Sequence, residues 1–166
     1  MFKDYARLTV FFCCVLIGVQ IPGVLKFYQQ RVEAHLSEAQ QALGGFQQTA
    51  QRHFDGDMQA LVAHYRRSPD PVFQQDADSV AAIVERVDLL QLEWDAMQGG
   101  QIAQLWHFLG FADTRLREET LDSYRYQVLL TPTAIGWGLA VALILSVLAE
   151  LLVTLVMPKR RNRRFA

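Results

Sequence analysis

The chain has 166 residues, of which 51% are hydrophobic and 20% charged, and its formal net charge is −1 at neutral pH. Most of the aliphatic residues lie in two segments, residues 8–25 and 128–157, and the sequence between them is polar and charged. This distribution excludes an ordinary soluble protein with a single core, a secreted disulfide scaffold and a disordered tail.

Residues 8–25 have the length and composition of a transmembrane helix. They contain no charged side chain and a single amide, Gln20. A helix of this length rises about 27 Å, which nearly matches a hydrocarbon core of roughly 30 Å. The alternative is a cleaved signal peptide. No small-x-small cleavage site follows the segment, which continues through Pro22 and Gly23, so we predict an uncleaved span.

Residues 128–157 form the second apolar segment and carry one ionisable side chain, Glu150. The segment is longer than a straight span needs, so we predict a second transmembrane helix that tilts or extends beyond the hydrocarbon region. Residues 158–166 follow as a tail with five cations, which are Lys159, Arg160, Arg161, Arg163 and Arg164.

The charges on either side of the two segments predict their orientation. Short basic flanks remain in the cytoplasm, which assigns residues 1–7 and 158–166 to that side. The connecting residues 26–127 hold 9 Lys and Arg against 15 Asp and Glu, a net charge of −6, and are predicted to lie outside. Because the basic tail directly follows a span, we interpret it as a topology signal that contacts anionic lipid headgroups, not as a nucleic-acid site.

Residues 26–127 are predicted to be helical, because their apolar residues recur at intervals of three and four. A first helix continues from the span to Phe54, with Gly44-Gly45 as a kink or a close packing point. Shorter helices follow over residues 58–67 and 76–97 and from residue 101, with a restart capped by Asp113. We therefore expect an all-α membrane protein in which two spans carry an extracytoplasmic antiparallel helical bundle.

Several short motifs accompany this pattern. They are Pro22-Gly23 followed by Tyr28 and Arg31, Asp70-Pro71-x-Phe73, and a segment from Asp113 through Thr120 and Tyr124 to Thr131-Pro132-Thr133 and the second-span glycines Gly136 and Gly138. Together they resemble a proteobacterial family of small two-span inner-membrane proteins that is defined as a domain of unknown function. The resemblance covers nearly the whole chain. It implies the bacterial inner membrane as the compartment and implies no activity.

The second span offers two kinds of candidate site. Its small and polar residues recur every fourth position, at Ala134, Gly138, Ala142 and Ser146. Such a row lets helix backbones approach closely, and we predict a packing face against the first span or another subunit. Glu150 continues the row. It is a possible intramembrane ionisable site, for proton or ion transfer or for hydrogen bonding to a partner helix, or it lies near the cytoplasmic edge and pairs with the tail.

No other residues predict a chemical centre. His53, Asp55, Asp57 and His64 are the only cluster that suggests a metal site. Their spacing fits neither an EF-hand nor a His-Glu-x-x-His motif, so we interpret them as solvated and capping residues. His35 and His107 are isolated in the sequence and are expected to be surface or packing groups. Cys13 and Cys14 are adjacent in an apolar segment, where thiolate chemistry is disfavoured. We therefore predict no catalytic residue, metal or cofactor.

The preferred functional hypothesis is a non-enzymatic accessory or scaffold subunit of the inner membrane, partnered by lipids and by further copies of itself or another membrane protein. The first alternative is a homo-oligomeric ion- or proton-conducting assembly that uses Glu150. The second is a sensor subunit without its own output domain, which would bind a ligand in the outer helices.

Overall fold

The computed structural model describes residues 2–124 and 131–156, and these residues form six α-helices and no strand. The helices are α1 (Phe2–His53), α2 (Met58–Arg66), α3 (Pro71–Ala96), α4 (Gln101–Gly110), α5 (Thr114–Ser123) and α6 (Pro132–Val156). The predicted all-α class is confirmed at this level. The helical part of the second predicted span begins at Pro132, and residues 125–130 and 157–166 lie outside the described residues.

Helix boundaries coincide with side chains that accept hydrogen bonds from free backbone N–H groups. Asp57 accepts from the amides of Gln59 and Ala60 at the start of α2, and Asp113 accepts from Leu116 at the start of α5. Thr131 serves α6 in the same way, through the amide of Ala134. Each cap satisfies donors that the first helical turn leaves unpaired. The predicted break at residues 55–57 and the restart at Asp113 are confirmed.

The predicted start of α3 was wrong. The helix begins at Pro71, where the sequence indicated a loop up to residue 76. Asp70 adopts an extended conformation and its carboxylate accepts from Val72 N at 2.9 Å. Proline suits the first helical position because the N–H that it lacks has no partner there. Pro71 therefore initiates the helix.

The described chain divides into two compact units, one of which is continuous in sequence, Leu25–Ser123. Its core contains fully buried side chains from the four helices α1, α2, α3 and α5, including Tyr28, Val32, Leu61, Val80, Leu90 and Leu116. Helix α2 packs against α3 through Val62, Ala77 and Val80, with Phe46 of α1 beside them. The predicted apolar face of α1 is thus largely the buried one. Tyr28, at the start of this face, is fully buried in the core.

The other unit combines the first part of α1, within Met1–Val24, with residues from Tyr124 onward, which include α6. Most of its large aliphatic side chains are exposed, among them Leu16, Ile17, Leu139, Leu143 and Val147. Its buried side chains are mostly small, with Ala134 and Ala142 at 2% and 0% exposure. This is the reverse of a soluble core, where large apolar side chains are inside.

One described helix, α1, is long and apolar enough to cross a membrane by length and composition, and Pro132–Leu148 of α6 is a shorter apolar helix. Core helices of soluble proteins and signal sequences also meet this criterion. Only 17% of the most apolar stretch of α1 is buried. A core helix is mostly buried, so this exposure favours a span or a signal sequence.

Candidate functional site

The close crossing of α1 and α6 is the first candidate site. Gly18 and Gly138 meet there, and a Cβ atom built on Gly18 would lie 2.9 Å from the Cα of Gly138. A Cβ on Gly138 would lie 2.6 Å from Cγ2 of Val19 and 3.0 Å from the carbonyl oxygen of Val15. No side chain fits at either position without moving a helix, so both glycines are needed for this approach.

The predicted packing face lies partly at this crossing. Gly138 contacts α1 directly, Ala134 and Ala142 are buried one turn on either side, and Ser146 is half-buried. Gly136, two positions from Gly138, has open space around its Cβ position. The face that α6 presents at the crossing is therefore the one that carries the small-residue row.

Two other predicted positions on this side of the chain are less fully described. Glu150 belongs to α6, but its side chain lies outside the described residues, as does the basic tail from Lys159 to Arg164. Their proposed roles stay predictions.

Sequence reasoning missed Gly18. It is the only glycine before Gly23, and a lone glycine in an apolar helix costs about 1 kcal/mol relative to alanine unless packing requires it. The presence of a glycine in spite of this cost is the sequence feature that indicates a close packing contact at Gly18. The sequence also indicated no hydrogen-bond partner for Gln20, the single amide of the first predicted span. In the structure Gln20 accepts a hydrogen bond from the Tyr124 hydroxyl at 2.9 Å.

The second candidate site is a polar junction formed around Glu93 of α3. Oε2 of Glu93 accepts from the Tyr28 hydroxyl at 2.7 Å and lies 2.8 Å from Nε2 of His107. Oε1 accepts from the backbone N–H of Asp113 at 3.0 Å. The junction joins α1, α3, α4 and the cap of α5, and His107, expected to be a surface or packing group, packs here against Glu93.

All the groups at this junction are engaged with one another. Burial, followed by the hydrogen bond to Glu93, raises the pKa of Tyr28 far above its usual value, so the phenol stays protonated and donates. Since Oε2 is an acceptor, Nε2 of His107 is the donor. A carboxylate with both oxygens occupied is poorly placed to accept a proton from a substrate. The arrangement is suited to holding α1, α3, α4 and the start of α5 together.

The third candidate site is a polar cluster around Glu119 of α5. Its carboxylate is 3.0 Å from Nε of Arg115, 3.4 Å from Nη1 of Arg31 and 3.4 Å from Nε2 of His35. The hydrogen bond from Arg115 is the largest cause that lowers the pKa of Glu119. Arg115 and Glu119 form an i,i+4 pair within α5, and His35 gains a carboxylate partner that the sequence did not reveal.

A cavity of about 340 Å³ lies between α1 and α3. It is lined by His35, Glu38, Ala39, Ala42, Ala82, Ile83 and Arg86. Three of the seven lining residues are alanines, and three others, His35, Glu38 and Arg86, carry polar side chains of the kind that can orient a ligand.

The suspected metal cluster is dispersed. Asp57 caps α2, the ring of His64 packs on Phe54 at 5.4 Å, and Asp55 adopts a positive φ in the turn before Gly56. In the part of the chain that the structure describes, no three His, Cys, Asp or Glu side chains are grouped to hold a metal ion. Cys13 and Cys14 are free thiols.

Comparison with known proteins adds a family. A family model with the description "Protein of unknown function (DUF2937)" matches residues 2–162. The resemblance noted from the sequence is thus confirmed for an uncharacterised domain family. No curated protein and no solved structure shows a significant match.

Proposed function

The chain belongs to the DUF2937 family of proteins of unknown function, and we propose that it is a non-enzymatic accessory or scaffold subunit of the bacterial inner membrane, the compartment that the family resemblance implies. In this proposal α1 and α6 both span the membrane and both termini are cytoplasmic. Residues 26–127 form an antiparallel helical bundle in the periplasm. The protein acts through helix association in the membrane and through the acidic surface of the bundle.

The α1–α6 crossing is the observation that carries the proposal. Helices in lipid gain little from hydrophobic burial, so they associate where small residues allow close backbone approach. Gly18 and Gly138 provide such an approach. The large aliphatic side chains Leu139, Leu143 and Val147 are left exposed, a surface suited to lipid or to a helix of another membrane protein.

The polar clusters support a structural role over a catalytic one. Glu93 and Glu119 each have several partners within the chain, and these partners come from different helices. Such networks hold helices together in one arrangement. Neither cluster pairs a nucleophile with a base in the manner that covalent catalysis needs.

The experiment is gentle extraction of the protein at its native expression level, followed by native mass spectrometry. We expect a second, unrelated chain at fixed stoichiometry. A pure homo-oligomer would contradict an accessory role to a different protein and favour self-assembly, of which the proton- or ion-conducting assembly is the alternative to test. Glu150→Gln would then be compared with the unmodified protein in a proton-flux assay.

Substitutions make this experiment specific to the crossing. Gly138→Leu places a side chain against Val15 and Val19 and should abolish the complex. Gly136→Leu is the matched control, because its Cβ position is open. Glu150→Gln should also leave the complex intact. A complex that survives Gly138→Leu unchanged would refute the role of this helix pair.

A further inference from the structure

Helix α4 is apolar on the side that it exposes as well as on the side that it buries. Ile102, Trp106 and Leu109 recur at helical spacing and are 60–68% exposed, and Phe111, just after the helix, is 79% exposed. A helix on the surface of a soluble domain normally carries its polar residues there. This exposed set of four residues is called the α4 face below.

The polar residues of α4 do not offset this exposure. Nε2 of Gln104 donates to the carbonyl oxygens of Met97 and Gly99, at 2.7 and 3.0 Å, and His107 binds Glu93. No Asp, Glu, Lys or Arg occurs between Asp95 and Asp113. In a connecting segment that is otherwise rich in charge, this stretch is the exception.

The position of α4 along α1 indicates what covers the face. The buried Phe108 packs edge-to-face on Tyr28, with ring centroids 5.2 Å apart. Tyr28 comes one turn after Leu25 in the same continuous helix, and Leu25 is the last residue of the first predicted span. At about 1.5 Å per residue, Tyr28 is some 5 Å along α1 from the end of that span.

We propose that the α4 face inserts into the headgroup and upper acyl region of the periplasmic leaflet, so that α4 is an interfacial helix. Amphipathic helices in this position bury their apolar side about 5–10 Å into the lipid, and tryptophan favours this depth. Since α4 lacks charged residues, the ligand is a phospholipid surface without a requirement for anionic headgroups. This inference rests on the membrane insertion of α1 in the proposed function.

The test uses tryptophan fluorescence of the full chain in phosphatidylcholine vesicles. With Trp94→Phe and Trp137→Phe, Trp106 is the only reporter and the α4 face is unaltered. We expect lipid brominated near the headgroup end of its acyl chains to quench Trp106 strongly, and aqueous iodide to quench it little. The matched control replaces all three tryptophans with Phe and adds Phe73→Trp, at an exposed site at the start of α3. It should show the opposite preference.

A third reporter separates this inference from the proposed function. With Trp94→Phe and Trp106→Phe, Trp137 in α6 reports insertion of the spans. Lipid quenching of Trp137 together with iodide quenching of Trp106 would overturn the interfacial helix and leave membrane insertion standing. Lipid quenching of neither residue would overturn both. If Trp106 is shielded from both quenchers, protein covers the α4 face, and the proposal is likewise overturned.

Discussion

At the scale of single residues, Glu93 shows how a carboxylate is kept inside a largely apolar domain. Its side chain is only 14% exposed, and an unpaired charge there would cost several kcal/mol. Donors from Tyr28, His107 and Asp113 replace the lost water. The charge is therefore stabilised by groups that come from three separate parts of the chain.

We expect Glu93→Gln to lower the free energy of unfolding by about 1–3 kcal/mol. An amide keeps one acceptor oxygen and turns the other into an NH₂ donor, which then faces a donor of the protein. Urea denaturation of the full chain in detergent micelles measures the change.

Asp95→Asn is the control for this substitution. Asp95 lies on the same helix, is exposed, and accepts one hydrogen bond from Gln91. A surface change of this kind should stay within about 0.5 kcal/mol. Equal effects at both positions would show that the junction does not stabilise the fold.

Sequence analysis could not find this junction, for a physical reason. Tyr28 and Glu93 are 65 positions apart, and Glu93 and His107 are 14 apart. Periodicity reports only which residues share a face of one helix. It does not show which helix faces pack against each other, so the contact between His107 and Glu93 could not be predicted.

At the scale of elements, the glycines of α1 have opposite roles. Gly18 is required by the approach of α6, whereas Gly44 and Gly45 have no atom within 4 Å of their Cβ positions. The suggestion that Gly44-Gly45 is a close packing point was therefore wrong. The helix runs through both residues without interruption, although glycine is a poor helix former.

This contrast predicts a stabilising change. Gly44→Ala and Gly45→Ala should each raise the free energy of unfolding by about 0.5–1 kcal/mol, because alanine reduces the freedom of the unfolded chain and meets nothing in the folded one. Thermal unfolding followed by circular dichroism measures it. Gly18→Ala, the comparison within the same helix, should destabilise. A loss of stability at Gly44 would mean that its surroundings are occupied in the folded protein.

Local signals gave most of the helix boundaries. Asp57 and Asp113 are capping residues with a recognisable pattern, and both act as predicted. The start of α3 was predicted too late because Pro71 was assigned to a loop. Proline occurs both in loops and in the first turn of a helix, and the residue before it distinguishes the two cases. The contact between Gly18 and Gly138 depends on how two distant helices approach each other. The sequence therefore indicated only one side of it, the small-residue row on α6 that contains Gly138.

At the scale of the whole molecule, the proposed topology is testable with cysteine labelling. In a Cys13→Ala, Cys14→Ala background, Gln75→Cys should react with a membrane-impermeant maleimide in cells with a permeable outer membrane, because residues 26–127 are proposed to be periplasmic. Ala166→Cys should react only after the inner membrane is disrupted. The reverse pattern would invert the topology. If both sites react while the inner membrane is intact, the C-terminus is periplasmic like residue 75. The chain would then cross the membrane once or not at all.

The division into units determines the order in which parts of the chain can fold during synthesis. The segment Leu25–Ser123 is continuous, so its helices can pack as soon as they leave the ribosome, and domains generally fold in this N-terminal-first manner. The contact between Gly18 and Gly138 forms later, because Gly138 is synthesised only after the entire segment Leu25–Ser123 has been made. During translation the first apolar helix is therefore without its partner. Chaperones or the insertion machinery of the membrane have that interval in which to hold it.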